Sequence, residues 1–222
     1  MKRRLLLLCP LPLPALAASP LGETDAALGV RAALERGALA AVAQLGRVDG
    51  FFAHPELKIE LPAALKDAAK LLKATGQGKK VDALVLAMNR AAEAAVPQAR
   101  ELLVQTVKQT SVEDALRLVR AREDDAVTRF FETKTRSPLT ARFLPIVTKA
   151  TEKQSLADKY NAVAGKAAGL GLLKGEDSNI QAYVTRKALD GLYRLIGEEE
   201  RKIRQDPVGT GSAILKKVFK LG

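Results

Sequence analysis

The stretch VDALVLAMNRAAEAAVPQAR, residues 81–100, constrains the fold more than any other part of this chain. At 100° per residue, Val81, Leu84, Val85, Met88, Ala92, Ala95 and Ala99 share one helix face, and Ala87, Ala91 and Ala94 widen it. A cylinder apolar over most of its circumference is stable only when neighbours enclose it, so a multi-helix core must form around it. One narrow polar strip interrupts the apolar surface. Asn89 sits at its margin, Arg90 lies nearly opposite the centre of the apolar face, and Glu93 lies next to Arg90. The strip reads first as the solvent-facing edge of an enclosed helix, where Arg90 and Glu93 pair for about 0.2–0.5 kcal/mol. A domain or partner interface is the second reading and a reactive site the third. Pro97 cannot donate to the Glu93 carbonyl, so the helix should bend there.

Most other segments repeat at helical spacing between start and stop signals. Thr24 is placed as the cap of DAALGVRAALERGALAAVAQLG, which stops at Gly46. Pro62 opens PAALKDAAKLLKATG, which ends at Gly76, and a long helix follows from about Lys79 to Gln109. Ser111, with Asp114 three residues on, opens SVEDALRLVR in a variant of the capping box, and EDDAVTRFFETKT follows. Ser137-Pro138 opens PLTARFLPIVTKAT with a kink at Pro145, and Ser155 opens LADKYNAVAGKAA. A second long helix runs from about Asn179 to Gln205 and Pro207 stops it; Ser212 starts a short last one. Gly191 falls on the apolar stripe with Val184, Ala188 and Leu195, and is expected to be buried against another helix.

Two stretches break the pattern. RVDGFFAHPELKIELP, near 46–61, reads as a structured loop whose LKIEL alternates like a strand that has no partner. AGLGLLKGEDSN reads as a Gly-rich connection. Trp is absent and aromatics make up 4% of the chain, so the core must be aliphatic and rich in alanine, which suits closely packed helices. The expected fold is all-α: a single compact multi-helix domain with two long helices, one structured loop and no substantial sheet.

The first residues, MKRRLLLLCPLPLPALAASP, place Lys2, Arg3 and Arg4 before a short apolar run that ends in Ala15-Leu16-Ala17. That is the layout of a signal peptide, residues 1–17, cleaved near Ala17, with residues 18–222 as the helical domain. Export to a bacterial periplasm is the expectation, with a cytosolic chain bearing a chance apolar start as the alternative. The one cysteine, Cys9, leaves with the signal, so the mature chain must fold by burial alone. Net charge is +11, or +8 without the three cations of the signal. After export the polyanions within reach are headgroups, lipopolysaccharide phosphates and acidic wall polymers, so an envelope protein or an anionic envelope surface is the expected partner. Nucleic acid is not expected, nor is a transmembrane segment once the signal is removed. Oligomeric state is left open.

The blocks MNRAAEAAVPQA, TARFLPIV and YVTRKALDGLYRLIGEEERKIRQDP, followed by ILKKVF, resemble the bacterial family catalogued as domain of unknown function 4197. The resemblance spans essentially the whole mature chain. It implies an exported, all-helical protein of Gram-negative bacteria, and it carries no activity, substrate or catalytic residue.

The residues themselves supply no catalytic constellation. His54 is the single histidine, and no nucleophile motif accompanies it. With no cysteine in the mature chain, a metal site is not expected, and no cofactor is implied. Phe51 and Phe52 read as lids on the core. GLGLLKG and GTGS lack the spacing and context of phosphate loops. Glu198 with Lys202, and Glu200 with Arg204, read as a solvated charged face. The tail SAILKKVFKLG opposes Lys216, Lys217 and Lys220 to Ile214, Leu215, Val218 and Phe219. It suits a docked last helix, or contact with an anionic surface. The reading that follows is a non-enzymatic binding or structural component of the cell envelope. The alternative is an envelope-polymer hydrolase or lyase with Glu93 as acid/base and Arg90 as anion anchor.

Overall fold

Alanine and glycine at the helix contacts let the long helices of this protein approach closely, and the architecture follows from that. The structure is a computed structural model, and it describes residues 23–206 apart from 120, 122, 154, 156, 157 and 161–178. Among the described residues there are seven helices: α1 (Glu23–Leu45), α2 (Lys66–Ala74), α3 (Gly78–Ala95), α4 (Arg100–Lys108), α5 (Val112–Val119), α6 (Ala126–Lys153) and α7 (Ile180–Gln205). Residues 158–160 are also helical, and there is no strand among the described residues. The fold is all-α, as expected. Helix α7 lies against both α1 and α6; α3 packs on α6, while α4 and α5 flank α1. One continuous core joins Leu34 and Leu45 of α1 with Leu84 and Met88 of α3, Phe143 of α6 and Leu189 of α7. Between these larger side chains lie fully buried alanines such as Ala91, Ala92, Ala95, Ala99 and Ala188. No helix is long and apolar enough to cross a membrane among the described residues.

Several helix signals act as written in the sequence. Pro62 precedes a 3-10 turn, Ala63–Leu65, that leads into α2, and Gly76 takes φ +77° just after α2 ends. Ser111 Oγ accepts from the Asp114 N–H at 3.1 Å, and the two side chains bond at 2.9 Å. Asn179 caps α7, its side chain accepting from Ala182 N at 2.9 Å.

Other signals are overridden. Thr24 stands inside α1 and not before it. The helix expected from 79 to 109 is divided: α3 ends at Ala95, a 3-10 turn covers Val96–Ala99, and α4 begins at Arg100. Pro97 falls in that tighter turn, where its missing N–H is tolerated, and its ring packs over Gly46. Conversely, Ser137-Pro138 starts nothing, because α6 runs unbroken through Pro138 and Pro145. The core stripe Phe131, Thr135, Leu139, Phe143, Val147 and Thr151 faces inward, whereas both prolines are exposed. The carbonyls they cannot bond belong to Lys134 and Ala141, also exposed residues, so water can take them.

Gly191 is buried as expected, but its neighbour is not a helix. A Cβ there would stand 2.8 Å from Cε1 of Phe51, in the loop between α1 and α2. The close helix–helix approach lies elsewhere, where Gly37 of α1 meets Ile196 of α7. Gly197 has room, since its Cβ would meet Thr128 at 3.6 Å. Opposite outcomes are therefore expected from one substitution type. Gly197→Ala should raise stability by about 0.5–1 kcal/mol through helix propensity. Gly191→Ala should lower it, because overpacking a fully buried ring costs about 1–3 kcal/mol and exceeds that gain. Urea midpoints of the two variants check this, and a rise for Gly191→Ala would refute the loop contact.

Candidate functional site

Asn89, Arg90 and Glu93 are brought together with the loop at 46–62, and the result corrects the solvated-edge reading. Asn89 is fully buried and Glu93 is 3% exposed. The Asn89 carboxamide accepts from Ile59 N at 2.8 Å and donates to Ile59 O at 2.9 Å, with its second N–H on Val85 O at 2.8 Å. Glu93 Oε1 accepts the consecutive N–H groups of Phe51 and Phe52 at 3.1 and 3.0 Å. Its Oε2 accepts from Arg90 Nη1 at 2.6 Å, and Arg90 Nη2 continues to Asp49 Oδ1 at 2.7 Å. These two carboxylates, Glu93 first, hold the Arg90 guanidinium above its usual pKa range. Asp49 takes φ +66°, a left-handed conformation that Asp tolerates better than most residues. The strip is a three-residue clamp on a loop of the same chain.

The clamp explains the alternation in LKIEL. Leu57, Ile59 and Leu61 are buried, Lys58 is half-buried and Glu60 is exposed, as in an extended chain. The partner that a strand would need is the Asn89 side chain. Phe51 is fully buried against Gly191. Phe52 packs on the core, with Lys58 Nζ 4.8 Å and the Arg90 guanidinium 5.7 Å from its ring centre. His54 caps the same turn, its carbonyl accepting from Leu57 N and Lys58 N.

A second carboxylate repeats the device, and sequence reasoning missed it. Glu200 on α7 is 3% exposed and accepts from Val127 N, Thr128 N and Thr128 Oγ1 at 3.0, 2.7 and 2.6 Å, closing the first turn of α6. Its pairing with Arg204 is present at 2.9 Å, but Glu200 is buried and Arg204 part-buried, and the pair is not on the solvated face expected for it. Lys202 pairs with Glu199, and Glu198 with Arg194. The four-residue spacing of Glu200 and Arg204 was legible; the arrival of a helix N-terminus over them was not.

With the loop clamped, residues 56–61 run beside α7 and enclose a groove of about 580 Å³. Lys58, Lys66, Arg186, Lys187 and Arg194 line it, against Glu56, Glu60 and Asp190. A second recess of about 310 Å³ continues between α6 and α7, and Asp190 and Arg194 border both. Its walls add Arg129, Arg136 and Arg201 against Asp125 and Glu132. Arg136 bridges Glu132 and Asp190, each at 2.9 Å, and stacks over Tyr193 at 5.2 Å. Burial lowers its pKa, but these two carboxylates outweigh burial and raise it overall. Arg194 is paired with Glu56 and Glu198. Lys66 and Arg201 have no ion-pair partner among the described residues. Burial pushes the Tyr193 phenol up to about 12, an effect only partly offset by its hydrogen bond to Thr135 and by Arg136. The whole is an open, mixed-charge channel with a cationic excess.

Fold and site together define an all-helical protein in which one loop is locked into the core and a charged groove runs beside it. The chain belongs to the family described as protein of unknown function (DUF4197), whose model matches residues 20–220. No curated protein and no solved structure matches it. The Gly-rich connection, GTGS and the tail with Lys216, Lys217 and Lys220 lie outside the described residues.

Asn89→Leu should strip Ile59 of both backbone partners, at about 1–3 kcal/mol per orphaned group. The expected signs are a lower urea midpoint and faster amide exchange across 46–62 than in α6; uniform exchange would refute the clamp. Tyr193 gives a pH signature. Its phenol is held neutral above the unfolded value of 10, so its contribution is complete below pH 10 and is lost as pH rises towards 12. Tyr193→Phe should flatten the stability profile across that interval, measured by urea melts at each pH.

Proposed function

We propose that this chain is a non-enzymatic binding component of the bacterial cell envelope, exported by its N-terminal segment, and that the groove along α7 is its working surface. One observation carries the reading: the groove and the recess that continues it gather more cations than carboxylates, and Lys66 and Arg201 in their walls have no ion-pair partner among the described residues. Such a surface attracts an acidic partner over a long range and holds it by several weak contacts. The basic balance of the chain favours the same class of partner. The competing hydrolase or lyase reading draws no support from Glu93, whose two oxygens are already engaged by Phe51, Phe52 and Arg90.

Photocrosslinking in cells tests the reading. A photoreactive residue at 201, in the recess that continues the groove, should capture a partner from the envelope fraction. The same group at 149, which lines a separate recess beside Pro145, should not. Equal capture from both positions, or recovery of the protein from the cytosol alone, would overturn the proposal.

A further inference from the structure

The groove has a backbone edge as well as charged walls. Asn89 bonds both the N–H and the C=O of Ile59, as a neighbouring strand would. In an extended chain, successive residues turn these groups to opposite edges, so Lys58 and Glu60 present theirs away from α3. The Glu60 carbonyl shows the direction: it accepts from the Tyr183 hydroxyl at 2.8 Å, and Tyr183 lines the groove. The Lys58 N–H is spent on His54 O at 2.9 Å. Two groups remain, the Lys58 carbonyl and the Glu60 N–H, and neither has a hydrogen-bond partner among the described residues.

An acceptor on one residue and a donor two residues on is what a single residue of a parallel strand satisfies. Its N–H donates to the first and its C=O accepts from the second. We propose that the groove takes an extended acidic peptide segment, which adds beside residues 58–60 as a parallel strand. The inference rests on the reading of this groove as the working surface and names the partner class. Backbone bonds supply the alignment, and the cationic excess, Lys66 included, selects acidic side chains. The volume of about 580 Å³ accommodates a few residues of extended chain. A phosphate headgroup or wall polymer would use the charges and ignore the edge.

The test uses the full chain and a labelled peptide of alternating Glu and Val, read by fluorescence anisotropy at low salt. A series carries one N-methylated amide at successive positions, and phosphatidylglycerol vesicles serve as the second probe. The expected result is peptide binding that falls about tenfold or more when one particular amide is methylated and is little changed when either neighbouring amide is. Lys66→Glu with Lys187→Glu should weaken peptide binding by a similar factor. Peptide binding that ignores methylation at every position overturns the strand proposal. So does binding of vesicles alone, if the double variant abolishes it, and the groove then stands as an anionic-surface site. If the double variant changes neither probe, or neither binds, the groove reading falls as well.

Discussion

A loop can press its inner residues into the core here because their backbone has been given side-chain partners. Residues 46–62 form a non-helical stretch between α1 and the turn that leads into α2, and its buried members, Phe51 and Ile59 among them, would otherwise take unpaired N–H and C=O groups into an aliphatic core, each at a cost of about 1–3 kcal/mol. The Asn89 carboxamide satisfies both groups of Ile59, and Glu93 satisfies two consecutive N–H groups at Phe51 and Phe52. Everything on the α7 side follows. Phe51 reaches under Gly191, Tyr183 reaches the Glu60 carbonyl, and residues 56–61 become one wall of the groove.

Glu93 and Glu200 solve the same problem at two places. Each buried carboxylate accepts two successive backbone N–H groups and is bonded to an arginine about one helical turn away, Arg90 or Arg204. Burying such a charge is costly unless its oxygens are filled, and here they are. Glu93 ties a loop to α3; Glu200 ties the start of α6 to α7. The two together connect elements that apolar contact alone would hold less specifically.

Legibility varied with the range of the interaction. Asn179, the Ser111–Asp114 pair, Pro62 and Gly76 act within a turn of their own position, so the sequence pattern suffices to place them. The polar strip misled, because its amphipathic geometry was right and its surroundings were not known. Asn89 stood at the apolar margin, the one hint that it was not wet. Ser137-Pro138 misled for the opposite reason: a start signal has no effect when the preceding turns already pack on the core and the freed carbonyl faces water. Gly191 was placed correctly as buried, while its occupant, Phe51, comes from about 140 residues earlier in the chain.

By itself, the sequence determined that this is an all-α protein with an alanine-rich core, that a loop interrupts it between residues 46 and 61, and which helix faces turn inward. These are properties of local periodicity and capping, summed over neighbours in the chain. Only the tertiary structure decided that Asn89, Glu93 and Glu200 are internal, that the loop lies against α7, and that a charged groove opens there. The fate of a polar side chain on a helix depends on what arrives opposite it, and that is set by packing between segments far apart in the chain.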